Sequence, residues 1–387
     1  MPSSNLNVCL IGYKFMGKAH SQAWRTVGRF FDLDTQPVMK VVCGRDADAV
    51  AQFAERWGWE SGSADWQAAV TRDDVDLVDI SAPGSVHCDI AVAAAKAGKH
   101  IYCEKPLTFT VADSKKMLDA VRQAGVKHMV NFNYRRCPAV SLARQMVDAG
   151  EIGEVHHVRC TYLQDWLVDP EFPMNWRLRK EAAGSGAHGD LGAHSIDLAR
   201  FLAGEIAEVV GMKKTFITER PAEGTSDGLT ATAGEGTEQV TVDDTSVFLA
   251  KFANGATGTF EATRLAPGRK NYNRIEINGS KGSLVWCFEE LNFLEFYSTS
   301  HPSTQQGFQR IMVTEGDHPY VGAWWPPGHM LGYEHGFANA IYDLTQCIAN
   351  DQPCVPDFRD GAQCVAVLEA VDQSEASGAW ASVETIE

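Results

Sequence analysis

What most constrains the fold of this chain is a rhythm. Between residues 7 and 133, short apolar runs alternate with stretches of helical length. Residues 7–12 read as a buried strand, 16–27 as a helix, 39–44 as a strand and 47–57 as a helix. The pattern repeats through a strand at 77–82, a helix at 86–97, a strand at 101–104, a helix at 111–124 and a strand at 129–133. Strands that alternate with helices form a parallel sheet covered on both faces. Right-handed crossovers wind such a sheet doubly, and ligands bind beyond the carboxyl ends of its strands. Residues 1–136 are expected to be that domain.

Beyond residue 136 the rhythm changes. A helix is expected at 138–149, an alternating strand at 155–165 and a helix at 192–202, with Asp190 and His194 near its start. Further strands are read at 209–218, 245–252, 255–263, 272–278 and 281–287. Asn254-Gly255 is a hairpin turn signal, and Gly279-Ser280-Lys281-Gly282 is a second loop. Residues 221–236, rich in Gly, Thr and Ala, read as a mobile loop, and 334–349 as a final long helix. Residues 137–387 are thus expected to form a second α/β domain around a mostly antiparallel sheet.

Composition excludes several classes. A hydrophobic content of 44% with 22% charged residues is that of a soluble globular protein. The net charge of -16 argues against a nucleic-acid or anionic-membrane partner. No apolar run reaches membrane-spanning length, and residues 1–7 lack the pattern of a signal peptide, so a cytoplasmic protein is expected. The ten cysteines are scattered without a C-x-x-C pair, which fits small buried residues in a reducing compartment and no metal site.

Two motifs carry chemistry. Glu104-Lys105-Pro106 closes the strand at 101–104, and a charged pair at that edge faces the ligand crevice. The first strand runs into Ile11-Gly12-Tyr13-Lys14-Phe15-Met16-Gly17, the strand–turn–helix context of a dinucleotide fingerprint. Lys14 stands where the middle glycine would let the backbone approach a pyrophosphate. The second strand ends in Cys43-Gly44-Arg45-Asp46. Gly44 and Arg45 tilt the cofactor slightly toward NADP, whereas Asp46 keeps NAD open.

The second motif is Gly184-Ser185-Gly186-Ala187-His188-Gly189-Asp190-Leu191-Gly192-Ala193-His194-Ser195-Ile196-Asp197. On a helix, Asp190 and His194 share one face. The preceding glycines are read as allowing a ligand to come close. Histidine titrates near neutrality and suits the base that an alcohol oxidation needs. His188 reads as a second contact or as a buried ring bonded to backbone, and Asp197 as structural.

Together with Ala82-Pro83, His87 and Asn133-Tyr134-Arg135, these motifs resemble the Gfo/Idh/MocA oxidoreductase family. The stretches around Phe15–His20, Asn131–Arg136 and Tyr162–Trp166 are most similar to its sugar dehydrogenases. The resemblance implies an N-terminal Rossmann dinucleotide-binding domain plus a C-terminal α/β domain with a large open antiparallel sheet, usually an oligomer interface, hence a homodimer or homotetramer. It implies catalytic Lys105, Asp190 and His194, with His194 as acid/base and Lys105 on the reacting oxygen. Cofactor contacts are expected from Gly12, Lys14, Phe15, Met16, Gly17, Arg45, Ala82, Pro83, His87, Glu104, Lys105 and Asn133. Tyr134, Arg135, Trp166, Trp176, Arg177 and Lys180 are the candidates for a carbohydrate substrate, whose CH face stacks on aromatic rings.

Three functions remain open on the sequence. One is NAD(P)-dependent oxidation of a secondary hydroxyl of a sugar, anhydrosugar or inositol-like polyol. Another is NAD-dependent glycoside cleavage through transient oxidation. The third is a non-catalytic sugar-binding member of the fold.

Overall fold

The computed structural model describes residues 4–227 and 230–387. Its N-terminal half follows the expected alternation. The elements are β1 (Ser4–Ile11), α1 (Phe15–Phe30), β2 (Thr35–Cys43), α2 (Ala47–Trp57), β3 (Ser61–Ser63), α3 (Trp66–Val70), β4 (Leu77–Ile80), α4 (His87–Lys96), β5 (His100–Cys103), α5 (Val111–Ala124) and β6 (His128–Val130). The strands form one parallel sheet in the order β3-β2-β1-β4-β5-β6, which changes direction at β1 and β4. Their apolar runs are buried because helices cover both faces. Thr110 accepts from the Asp113 N–H and so caps α5. The short β3 and α3 escape sequence reading because neither is long enough to show a period.

The second half contains α6 (Pro138–Asp148), β7 (Val155–Leu163), α7 (Lys180–Ala183), a π turn at His188–Gly192 and α8 (Ala193–Ala203). These are followed by β8 (Ile206–Lys214), β9 (Glu219–Asp227), β10 (Thr230–Gln239), β11 (Thr245–Phe252), β12 (Thr257–Thr263), β13 (Tyr272–Gly279), β14 (Gly282–Cys287), β15 (Phe293–Ser298), β16 (Gln309–Met312), α9 (Tyr333–Ala349), α10 (Phe358–Ser377) and β17 (Ala381–Ser382). Nine strands make one sheet in the order β16-β15-β14-β13-β7-β12-β11-β8-β17. Neighbours run antiparallel except β7 and β12, which are parallel. The Asn254-Gly255 turn joins β11 to β12 as expected.

Two expectations need correction. Residues 221–236 are not a loop but most of the β9–β10 hairpin, apart from residues 228–229, which lie outside the described residues. The segment lacks apolar alternation because ion pairs hold it: Arg179 bonds Glu223 at 2.6 Å and Glu238 at 2.7 Å. Helix α9 is not the last helix. The 20-residue α10 follows it, and burial around most of its circumference blurs the polar face that periodicity needs.

The C-terminal helices also blur the division at residue 136. Helix α9 packs on α1, and α10 packs against both α5 and β8. Trp324 and Trp325 lie against Phe30 at ring distances of 4.5 Å and 5.0 Å, so this pair seals α1 to the loop before α9. No helix among the described residues is long and apolar enough to cross a membrane.

Candidate active site

The first loop fits a dinucleotide. Gly12 has φ +114, and a Cβ there would sit 2.6 Å from the Ser81 carbonyl oxygen. At Gly17 a Cβ would lie 2.3 Å from the Gly12 oxygen. Both contacts are with backbone, which cannot yield, so the turn and the close helix–strand approach of the fingerprint are built in. Lys14 is exposed, with its ammonium 5.5 Å from the Tyr13 ring centroid. Phe15 stacks on Tyr333, and Met16 is half-buried on α1.

At the end of β2 the reading is altered. A Cβ at Gly44 would meet the Tyr13 ring at 2.2 Å. Gly44 therefore has a packing reason, and only Arg45 is left to tilt the site toward NADP. Arg45 is exposed, while the Asp46 carboxylate caps α2 by accepting from the Ala49 N–H at 3.0 Å.

Ala82 and Pro83 lie just past β4, and His87 ties them to the next loop. Its Nε2 is 2.9 Å from the Ala82 carbonyl oxygen and its Nδ1 is 3.1 Å from that of Leu107. Burial pushes the His87 pKa below its usual value. Asn133 is buried in the 3-10 turn Asn133–Arg136 after β6. Glu104 directly follows β5; the Lys105–Pro106 peptide is cis.

Lys105 is where the two halves meet. Its Nζ donates to the Asp190 carbonyl oxygen at 2.9 Å and to Asp190 Oδ1 at 3.0 Å. Asp190 lies in the π turn and His194 in the first turn of α8. Arg264, a buried residue just beyond β12, donates to Asp190 Oδ2 at 2.8 Å. Burial alone would raise the Asp190 pKa, but Lys105, Arg264 and Arg177 outweigh it and hold the carboxyl far below its usual range. His194 goes the other way from protonation. Burial and the Lys105 charge push it well below 6.5, against a weaker pull from Asp190. The cluster therefore sets a cation, an anion and a neutral imidazole side by side.

The wall around them is aromatic and amide. The Tyr134 ring lies 4.5 Å from the His194 ring, and its hydroxyl is 2.8 Å from that of Tyr162. Tyr162 donates to Asn271 Oδ1 at 2.8 Å, as does Gln164 at 2.9 Å. Trp166 donates to Gln164 at 3.1 Å, and its ring lies 5.7 Å from the Arg264 guanidinium. Arg177 lies 4.3 Å over the Trp176 ring.

Two expected substrate residues are not brought into this cluster. Arg135 is buried in a bidentate pair with Asp197 of α8, at 2.9 and 2.6 Å, which locks the 3-10 turn to that helix. Lys180 is exposed at the start of α7. Asp197 is structural, and His188 is buried with Nδ1 2.9 Å from Ser246 Oγ and Nε2 3.1 Å from the Leu368 carbonyl oxygen.

The glycines before Asp190 have a different purpose from the one read in the sequence. A Cβ at Gly186 would lie 1.7 Å from the Asp243 carbonyl oxygen. The close approach is to Asp243, whose carboxylate accepts from the N–H groups of Gly186 at 2.8 Å and His188 at 2.7 Å. Neither Asp243 nor Arg264 belongs to a local motif. Both are distant in sequence from the groups they hold, and no spacing signals them.

Comparison with known proteins places the chain in a family. Residues 6–132 match the oxidoreductase family with an NAD-binding Rossmann fold, and residues 140–285 match the GFO/IDH/MocA C-terminal domain. The chain is 43% identical to levoglucosan dehydrogenase of Pseudarthrobacter phenanthrenivorans over 99% of each protein. An oxidoreductase domain protein from Kribbella flavida has a crystal structure with a TM-score of 0.94 at 53% identity, covering 98% of this chain and 99% of that one. A levoglucosan dehydrogenase in complex with NADH and levoglucosan gives 0.93 at 42% identity, covering 99% and 100%. The chain therefore belongs to the GFO/IDH/MocA family of oxidoreductases, whose Rossmann domain binds NAD.

Proposed function

We propose that the protein is an NAD-dependent dehydrogenase that oxidises a secondary hydroxyl of a sugar, with anhydrosugars of the levoglucosan type and related pyranoses as the leading substrates. The observation that carries this reading is the Lys105–Asp190 contact across the domains, one helical turn from His194. The full-length likeness to levoglucosan dehydrogenase supports the substrate class.

NAD, when bound, supplies the acceptor for the hydride on the carbinol carbon. The residues do the rest. Neutral His194 takes the hydroxyl proton. The Lys105 ammonium donates to the hydroxyl oxygen as negative charge grows there. Asp190 orients Lys105, and Arg264 fixes Asp190. Trp166, Trp176 and Tyr134 offer faces to the CH side of the sugar, and Arg177 offers donors to its hydroxyls. Gly12, Gly17, Lys14, Phe15, Met16, Ala82, Pro83, His87, Glu104 and Asn133 form the cofactor side. The balance is alcohol plus NAD+ giving ketone, NADH and one proton.

The exposed face of the nine-stranded sheet supports a homodimer or homotetramer, because Met212, Val247 and Leu249 lie side by side on it. Arg45 is the residue on which a 2′-phosphate would bear, so NAD and NADP are to be compared directly.

The test is NADH formation from a panel of anhydrosugars, pyranoses and inositols. Turnover is expected with at least one of them. Lys105→Ala should lose about a thousandfold in kcat while binding NADH as the wild type does. Near-wild-type turnover in that variant would remove Lys105 from the chemistry.

A further inference from the structure

One buried cluster behind Lys105 ties Glu104 of the cofactor side to two residues with no part in the mechanism above, His20 and Asp79. His20 of α1 lies between two carboxylates, with Nδ1 2.8 Å from Asp79 Oδ1 and Nε2 2.9 Å from Glu104 Oε1. His20 and Asp79 are fully buried, and Glu104 is 5% exposed. The carboxylates meet further donors. Trp24 Nε1 donates to Asp79 Oδ2 at 2.7 Å, Asn131 Nδ2 to Glu104 Oε1 at 2.6 Å, and the Lys105 backbone N–H to Glu104 Oε2 at 3.1 Å; Asn131 Nδ2 also lies 3.2 Å from His20 Nε2.

The proton count follows from the acceptors. Ionised carboxylates only accept, so two of them facing two ring nitrogens require two protons in the trio. If the ring holds both, there are one cation and two anions. If a carboxyl holds one, there are a neutral ring, a neutral acid and one anion. The trio carries one net negative charge in either case.

We propose that Asp79, His20 and Glu104 form a fixed negative charge beneath the cofactor crevice, which makes the free enzyme favour the cationic oxidised nicotinamide over the neutral reduced form. His20 is the positioning residue that keeps Glu104 in place. The inference rests on the dehydrogenase reading above.

Three features argue for it. Glu104 directly follows β5, at the edge of the sheet where ligands bind. The trio is buried, so salt and water screen it weakly. The neighbouring cation Lys105 is turned away toward Asp190, where Arg264 joins it from the other side. The crevice is thereby polarised, negative on the Rossmann side and positive around the reacting oxygen. Burial opposes the charge on His20, but Asp79 and Glu104 outweigh it and lift its pKa to about 10, so the trio keeps its form through neutral pH.

The experiment is calorimetric titration of the full-length protein with NAD+ and with NADH in the absence of sugar. The double variant Asp79→Asn/Glu104→Gln leaves a neutral ring between two uncharged amides and should weaken NAD+ about tenfold more than NADH, the size of effect one unit charge has at an effective protein dielectric. Glu104→Asp, which keeps the charge, should hold the ratio of the two affinities within about twofold of wild type. Asp79→Ser/Glu104→Gln is uncharged in the same way and should shift the ratio in the same sense, which covers the case in which the double amide variant fails to fold. Equal losses for both cofactor forms in the neutralised variants would overturn the proposal and leave the trio a structural clamp. Failure of the wild type to bind either form would instead sink the dehydrogenase reading.

Discussion

Replacing Asp243 with alanine should loosen the start of the helix that carries Asp190 and His194. The carboxylate accepts two backbone N–H groups, from Gly186 at 2.8 Å and His188 at 2.7 Å, and the residue is 8% exposed. A hydrogen bond to a charged group contributes about 1.5–3 kcal/mol, and a buried donor left alone costs a similar amount. Loss of both bonds would therefore cost about 3–6 kcal/mol. The Ala187 N–H keeps its bond to the Asp243 main-chain oxygen, which points to the lower end, about 3–4 kcal/mol. Asp243→Asn should cost about half as much, because one amide oxygen still accepts while the NH2 faces a donor. The assay is urea unfolding followed by tryptophan fluorescence, together with kinetics and NADH titration. We expect kcat/KM to fall about a hundredfold or more, with NADH affinity changed less than about twofold, since the cofactor loop lies on the other domain. A stability change below about 0.5 kcal/mol in the alanine variant would refute the role assigned to this carboxylate.

Other predictions follow from the same geometry. His194 has a folded pKa below its unfolded value of 6.5, so the native state binds fewer protons there. Both kcat/KM and the stability contributed by His194 should hold as pH falls to 6.5 and decline only below it; a limb above 6.5 that disappears in His194→Asn would contradict this. Arg264→Met removes the partner of Asp190 Oδ2 and should lower kcat/KM about a hundredfold, with Arg264→Lys only partly restoring it because a point charge lacks the guanidinium fork; wild-type kinetics in the methionine variant would exclude Arg264 from the site. The proposed homodimer or homotetramer is tested by Leu249→Glu, at a residue 48% exposed on the open sheet face: the variant should give a smaller mass than the wild type in light scattering, and an equal mass for the two would refute an interface on this face.

Much of the fold was legible because local signals and the tertiary arrangement agree. The first-domain strands are apolar runs that alternate with helices, and the helix at Val111–Ala124 lies where the sequence places it. Reading failed where that agreement is absent. Helix α10 is enclosed between domains and shows little of a polar face, while the β9–β10 hairpin is held by Arg179 and its two glutamates rather than by an apolar stripe. The same split runs through the site. Lys105, Asp190 and His194 stand in local motifs whose residue types are unusual for packing, and the structure brings Lys105 and Asp190 together. Arg135 stands in a motif too, yet Asp197 claims it, and nothing in Asn133-Tyr134-Arg135 announces a partner 62 residues away.

The sequence by itself determined the parallel sheet, the glycines that shape its first turn and the candidates proposed as reacting groups, because periodicity and backbone sterics act over a few residues. Tertiary structure decided the charges. Asp190 becomes an anion between cations, His194 stays neutral, and His20 is held between two carboxylates only because elements far apart in the chain are packed together. Electrostatic energy depends on distance and burial in space, and neither is written in the order of the residues.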